Sequence, residues 1–136
     1  MVKLIMGLQG SGKTKKLVEL VEKAIGEEDG DVVCIERKLT LTYDIPREVR
    51  LVDASQYNIN SFVFLKGFIS GLHSANYDMT HIFIDSVLRI VNSKLDEDAV
   101  DFFEWCEDFG KRENVKFTIT VSMDINKADE RLKKYF

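Results

Sequence analysis

The fold of this chain is decided by one stretch near its start, Gly7-Leu8-Gln9-Gly10-Ser11-Gly12-Lys13-Thr14. It fits the pattern G-x-x-x-x-G-K-[ST]. An apolar run from Val2 to Met6 precedes it, and apolar residues at helical spacing follow it. Glycine lets the main chain adopt positive φ and leaves no Cβ in the way, so successive N–H groups can turn toward one anion. The stretch therefore predicts a strand, an anion-binding loop and a helix in direct succession.

The other residue types in this loop are those that a bound phosphate requires. A helix that begins near Lys13 presents its positive N-terminal end to the loop. The Lys13 ammonium supplies a mobile charge for β- and γ-phosphates, and the Thr14 hydroxyl is positioned to ligate Mg²⁺. A glycine turn without a ligand is disfavoured, because strand, motif and helix agree. We expect the ligand-binding residues to be Gly7, Gln9, Gly10, Ser11, Gly12, Lys13 and Thr14.

Length and composition exclude several classes of protein. A chain of 136 residues predicts one domain over 1–136, and 45% hydrophobic with 31% charged residues is ordinary globular composition. The net charge of -4 argues against a general affinity for nucleic acid or for an anionic membrane. No apolar run approaches the length of a membrane span, and the N-terminus has no signal-peptide pattern. We expect a cytoplasmic protein.

The cysteines and histidines do not have the spacing of a metal site. Cys34 and Cys106 fall in a predicted strand and a predicted helix, where we expect small buried hydrophobic residues. His73 is expected on the surface of a helix, and His81 near the start of a strand.

Apolar periodicity predicts strands that alternate with helices. Apolar runs predict strands at 2–6, 32–36, 49–52, 80–84 and 115–121. Helical spacing predicts helices at 13–25, 58–76, 95–110 and 126–135. This order implies a mainly parallel sheet with helices on both faces, a three-layer α/β/α sandwich. The segment 37–48 is either a short edge strand or a loop.

Ligands of parallel sheets bind outside the carboxyl ends of the strands. Asp85 directly follows the apolar strand that begins at Thr80, so its carboxylate should face a Mg²⁺ ion ligated by Thr14. Thr14 and Asp85 are the candidate metal ligands. One rim of the sheet is expected to hold Gly7, Glu36, Asp53, Asp85 and Ser122.

The helix predicted at 58–76 is apolar over most of its circumference. Such a helix is either deeply buried or shared with a second molecule, in a homo-oligomer or with a protein partner. Asn58 or Asn60 is its predicted N-cap.

The order of the elements, with the glycine loop and Asp85, resembles that of the P-loop NTPases over nearly the whole chain. The strand after the Asp85 strand ends in the polar Ser122, which is similar to the RecA and thymidine-kinase branch. The resemblance to small bacterial ATP-binding proteins is closer than to any named enzyme. It implies the P-loop NTPase fold, ATP and Mg²⁺ as ligands, and a strand between the P-loop strand and the Asp85 strand.

The resemblance also suggests catalytic residues. Many members carry Glu after the metal-binding Asp, where this chain has Ser86. RecA-like enzymes can instead draw the base from the end of the strand after the P-loop helix, which is Glu36. Lys13 and Glu36 are therefore the candidate catalytic residues. A charge pair of Glu36 with Arg37 or Lys38 is an equally open interpretation.

Two further signals have simpler explanations. Asn126-Lys127-Ala128-Asp129 matches the N-K-x-D pattern by which GTPases read guanine, but three residues separate it from its strand. A helix cap at Asn126 or Asp124 explains it more simply. Arg89 is a candidate arginine finger, although a solvated or structural role is favoured.

These observations favour a small ATPase or switch that hydrolyses ATP slowly. The alternatives are a nucleotide-binding module or assembly subunit without hydrolysis, a GTP-binding protein, or a small-molecule kinase. The sequence leaves the choice between ATP and GTP open.

Overall fold

Five strands form one sheet in a computed structural model that describes residues 1–38, 40 and 44–136. They are β1 Val2–Gly7, β2 Asp31–Glu36, β3 Arg50–Asp53, β4 Met79–Ile84 and β5 Lys116–Ser122. Their order across the sheet is β1-β5-β4-β2-β3, and all neighbouring strands pair in parallel. The predicted parallel α/β fold is confirmed, and β5 separates β1 from β4. The edge strand or loop predicted within 37–48 lies partly outside the described residues, at 39 and 41–43.

Helices cover both faces of the sheet. The α-helices are α1 Lys13–Glu27, α2 Phe62–Ala75, α3 Val87–Ile90 and α4 Glu97–Glu113. On one face, Leu17 and Val21 of α1 are fully buried in a cluster with Phe83 of β4. On the other face, α2 and α4 join the larger cluster, where the rings of Phe62 and Phe102 lie 5.1 Å apart. The predicted three layers are therefore present.

The carboxyl ends of the strands form one rim, as predicted. Gly7 of β1 is in register with Ser122 of β5, and Glu36 of β2 with Asp53 of β3. Asp85 follows the last residue of β4 directly.

The predicted N-cap of α2 is wrong. The helix begins at Phe62, and its cap is Ser61, whose Oγ accepts from the Phe64 N–H at 3.0 Å. The Asp53 carboxylate caps a 3₁₀ turn at Ala54–Tyr57, and Asn58 ends that turn in a left-handed conformation. Because this turn uses the intervening residues, the helix starts later than the apolar pattern indicates.

The helix predicted at 126–135 is also wrong. Two short 3₁₀ turns, Ile125–Lys127 and Glu130–Tyr135, occupy this segment. Asp124 caps the first turn, as one of the two predicted caps. The Asp129 carboxylate caps the second by accepting from the Arg131 N–H, which starts a new turn and interrupts the helix.

Only one side of α2 is buried. Leu65 and Ile69 face the core, whereas Val63 is 78% exposed and Phe64 is 43% exposed. Full burial is therefore excluded, and a partner on the exposed side stays a prediction. Within the described residues, no helix combines the length and apolar character that a membrane crossing requires.

The expectation that His73 lies on the surface is wrong. His73 is buried, and its ring packs edge-on against Tyr77 and Phe109 with centroids 5.3 and 5.5 Å away. The reason is its spacing: it follows Leu65 and Ile69 at intervals of four, on the stripe that faces the core.

Both cysteines are buried, as expected. Cys34 lies in β2 and Cys106 in α4, each fully buried. Burial raises the pKa of both thiols well above their usual range. They act as small apolar side chains in the core.

His81 is a largely buried titratable group in β4, and it should make stability depend on pH. Its ring stacks on Phe83 with centroids 4.1 Å apart, and its Nε2 lies 2.9 Å from the Thr118 Oγ1. Burial lowers the pKa of His81 to about 4, although the nearby Glu28 carboxylate favours the charged form. Protonation therefore favours the unfolded chain, where the pKa is near 6.5.

The free energy of unfolding should fall as the pH drops from about 6.5 to about 4, by up to about 3 kcal/mol from this group. In His81→Gln this contribution should be absent. Urea denaturation of both proteins at neutral pH and at the acid end of this range measures it. An equal acid loss in the two proteins would contradict the assignment.

Candidate functional site

The loop at residues 8–12 joins β1 to α1 at the carboxyl edge of the sheet. Gly10 and Gly12 have φ values of 84° and 87°, a conformation that glycine adopts without strain. The Ser11 N–H donates to the Leu8 carbonyl at 3.1 Å and closes a turn. A Cβ added to Gly10 or Gly12 would meet nothing within 4 Å. The main chain of the loop therefore borders open space.

Gly7 is needed for a close approach within the loop. A Cβ at this position would lie 2.3 Å from the Ser11 Oγ and 3.4 Å from the Lys13 Cγ. The Gly7 carbonyl accepts from the Met123 N–H at 3.1 Å, which ties the end of β1 to the chain beyond β5. The loop thus folds closely over the end of its strand.

Lys13 is the first residue of α1 and is nearly buried. Its Nζ donates to the Leu8 carbonyl at 2.9 Å, so the ammonium lies over the loop. Burial lowers the pKa of Lys13; the Asp85 carboxylate opposes this effect, and the Arg89 guanidinium adds to it. The Lys13 ammonium is therefore poorly solvated. An anion bound in the loop would replace the Leu8 carbonyl as its hydrogen-bond partner.

Thr14 and Asp85, the two candidate metal ligands, lie close together. The Thr14 Oγ1 lies 3.4 Å from Oδ1 and 3.5 Å from Oδ2 of Asp85. Asp85 is only 9% exposed. A hydroxyl and a carboxylate are hard oxygen ligands of the kind that Mg²⁺ prefers.

Thr120 of β5 is the residue that sequence reasoning missed. Its Oγ1 donates to the Asp85 Oδ1 at 2.8 Å and accepts from the Ser86 N–H at 2.7 Å. Thr120 is fully buried, so these bonds have no competition from solvent. The only sequence signal is a polar residue inside an apolar strand.

Glu36 ends β2 as a buried carboxylate, 2% exposed. Its Oε1 accepts a hydrogen bond from the Thr40 main-chain N–H and another from the Thr40 Oγ1, the latter at 3.1 Å. The carboxylate is therefore fixed in orientation beside the rim.

Two adjoining cavities contain most of the predicted site residues. The loop cavity, about 400 Å³, is lined by Gln9, Gly10, Gly12, Lys13, Thr14, Lys15, Ser86, Arg89 and Ser122. The Glu36 cavity, about 260 Å³, is lined by Thr14, Glu36, Arg37, Lys38, Thr40, Asp85, Ser86 and Arg89. They share Thr14, Ser86 and Arg89. Gly7 and Ser11, which were also predicted to bind the ligand, line neither cavity.

The N-K-x-D segment does not join these cavities. Residues 126–129 line neither of them. The Asp129 carboxylate instead accepts hydrogen bonds from Arg131. Guanine recognition through this segment has no support.

Comparison of the whole fold with solved structures gives a match to the flagellar accessory protein FlaH from Methanocaldococcus jannaschii. The TM-score is 0.59 at 16% sequence identity, over 95% of this chain. The chain has a RecA-like fold. At this identity the likeness concerns the fold alone, and the match spans 63% of the FlaH chain. No protein-family model and no curated protein sequence matches the chain.

The positive φ of Gly12 predicts a cost for Gly12→Ala. Alanine at φ 87° is strained, so the free energy of unfolding should fall by about 1–2 kcal/mol. Gly67 in α2 is the matched control, because a Cβ there meets nothing within 4 Å. Gly67→Ala should stabilise by up to about 1 kcal/mol, since alanine is the better helix former. Urea denaturation compares them, and equal changes would argue against strain at Gly12.

Proposed function

We propose that this chain binds ATP with Mg²⁺ through the loop at residues 7–14, as a single cytoplasmic domain, and hydrolyses the nucleotide slowly. One observation carries the proposal: Lys13, Thr14 and Asp85 surround adjoining cavities at the carboxyl rim of a RecA-like sheet. Parallel α/β sheets bind their ligands at this rim. A cation, a hydroxyl and a carboxylate there match the needs of a triphosphate and its metal.

The residues fit both ligands chemically. The main chain at Gly10 and Gly12 borders open space, so a phosphate can reach the loop N–H groups without a steric barrier. Lys13 is nearly buried, so its ammonium is poorly solvated before a phosphate binds. Mg²⁺ commonly uses one or two protein oxygens and completes its coordination with phosphate and water. Thr14 and Asp85 supply two such oxygens. When bound, Mg²⁺ neutralises charge on the phosphate oxygens.

The side chains then have separate tasks. The Lys13 Nζ exchanges the Leu8 carbonyl for phosphate oxygens, and the loop N–H groups donate to the same anion. Thr14 and Asp85 hold the metal. Thr120 keeps the Asp85 carboxylate oriented through its 2.8 Å hydrogen bond.

Glu36 is the proposed general base. It lines the same cavity as Thr14 and Asp85. A carboxylate at a cavity wall can orient a water molecule and accept its proton. The hydrogen bonds from Thr40 to Oε1 favour the second candidate, a nucleotide-binding switch or assembly subunit in which Glu36 is structural. The two candidates differ in whether γ-phosphate is released.

Lys13→Ala should weaken the binding of Mg·ATP by about tenfold to a hundredfold, the contribution expected of charge-assisted hydrogen bonds. Isothermal titration of the full chain with Mg·ATP measures the affinity, and circular dichroism shows whether the fold survives. A parallel titration with Mg·GTP gives the base preference.

Lys16→Ala is the control for this experiment. Lys16 is exposed on α1 and lines neither the loop cavity nor the Glu36 cavity. Its loss should leave the affinity unchanged. Equal affinities of wild type and Lys13→Ala, or no binding of either nucleotide by the wild type, would refute the proposed site.

Glu36→Gln should slow single-turnover release of γ-phosphate by about a hundredfold or more, because glutamine cannot accept the proton. The Mg·ATP affinity should stay the same, since Glu36 is not a proposed ligand. Glu22→Gln, at an exposed position on α1, is the control for loss of one negative charge. Hydrolysis at the wild-type rate in Glu36→Gln would assign a structural role to Glu36. No release by the wild type would favour the switch.

A further inference from the structure

A third cavity adjoins the Glu36 cavity and shares Arg37 and Arg89 with it. We call it the arginine cavity. Its volume is about 500 Å³, within the range of small-molecule sites. Its polar lining residues are Arg37, Ser55, Asn58, Asn60, Arg89 and Asn92.

The charge of this lining is one-sided. Its described lining residues include two arginines and no acidic residue, in a chain whose net charge is -4. Within the ranges 1–38, 40 and 44–136, neither guanidinium forms a hydrogen bond or an ion pair. Two cations without such partners at one concave surface favour the binding of an anion there.

Asp53 directly precedes the lining residue Ala54 in the chain. The Asp53 Oδ1 accepts from the Ser55 N–H at 3.0 Å and from the Ser55 Oγ at 2.6 Å. Asp53 therefore serves as a turn cap and does not belong to the cavity lining. The Glu36 and Asp85 carboxylates line the Glu36 cavity together with Arg37 and Arg89, but they do not line the arginine cavity.

The two arginines come from separate segments of main chain that are fixed in place. Arg37 follows β2, and its carbonyl accepts from the Ser55 N–H at 3.2 Å, which joins it to the turn at Ala54–Tyr57. Arg89 belongs to α3, where its N–H donates to the Ser86 carbonyl at 3.0 Å. Both backbones are held, and both side chains line the same cavity.

We propose that the arginine cavity binds a second, small anionic ligand, whose phosphate or carboxylate group is held by Arg37 and Arg89. The planar guanidinium fork matches both groups with paired hydrogen bonds. The side-chain amides of Asn58, Asn60 and Asn92 offer donors and acceptors for hydroxyl or amide groups on the rest of the molecule. This inference goes beyond nucleotide binding and does not require it.

Amide NMR spectra of the labelled full chain test the proposal. Inorganic phosphate is titrated in one series and succinate in another, each into wild type and into Lys13→Ala. The second protein removes the main cation of the loop cavity, so phosphate binding there cannot be mistaken for the new site. Saturable shifts are expected at the amides of Ser55, Asn58, Asn60 and Asn92 in both proteins.

Arg37→Gln should weaken this binding by about tenfold, the loss expected for a charge-assisted contact. Arg50→Gln is the matched control, because Arg50 is exposed on β3 and does not line the arginine cavity. It should leave the affinity unchanged.

Each outcome decides the proposal. Shifts with phosphate alone assign a phosphate-bearing ligand, and shifts with succinate alone assign a carboxylate. The proposal is overturned if neither anion shifts these amides or if the shifts are confined to residues 7–14. It is also overturned if Arg37→Gln and Arg50→Gln lose the same affinity for the anion. Failure of ATP to bind the loop would leave these readouts unaffected, so the two proposals fail separately.

Discussion

One buried hydroxyl, that of Thr120, holds the candidate metal site together. It bonds both the carboxylate of Asp85 and the main chain of Ser86, so it links β5 to the end of β4. On the other side, the Asp85 N–H donates to the Ile35 carbonyl of β2 at 2.9 Å. Ser86 has a φ of 56°, so the chain turns sharply after the carboxylate. Asp85 is thus held from two neighbouring strands, and its Oδ1 lies 3.4 Å from the Thr14 Oγ1.

The sequence was most informative where burial is complete on both faces. Apolar runs predicted all five strands, most clearly β2 and β4, because a strand between two helical layers has no polar side. It was least informative where a single side chain redirects the main chain. The Asp53 cap delays α2, and the Asp129 cap breaks the last predicted helix into turns. Such caps compete locally with helix formation, and apolar periodicity does not register them.

The site was predictable in part for a topological reason. Once the strands are parallel, their carboxyl ends must share a rim, and this brings Thr14, Glu36 and Asp85 together. Thr120 was not predictable, because a threonine in a strand gives no sign of which residue it will contact. The position of Arg37 and Arg89 at a common cavity depends equally on turns that the sequence did not reveal. Their separation in the chain is large, and only the folded turns bring them close.

The order of the strands has a consequence for self-association. Among the described residues, β1 and β3 border the sheet, and each pairs with another strand on one side only, so a strand of another copy could extend it. Each border also carries an exposed cation, Lys3 on β1 and Arg50 on β3. Two copies that approach edge to edge bring like charges together. This repulsion opposes the addition of strands from other copies at either edge of the sheet.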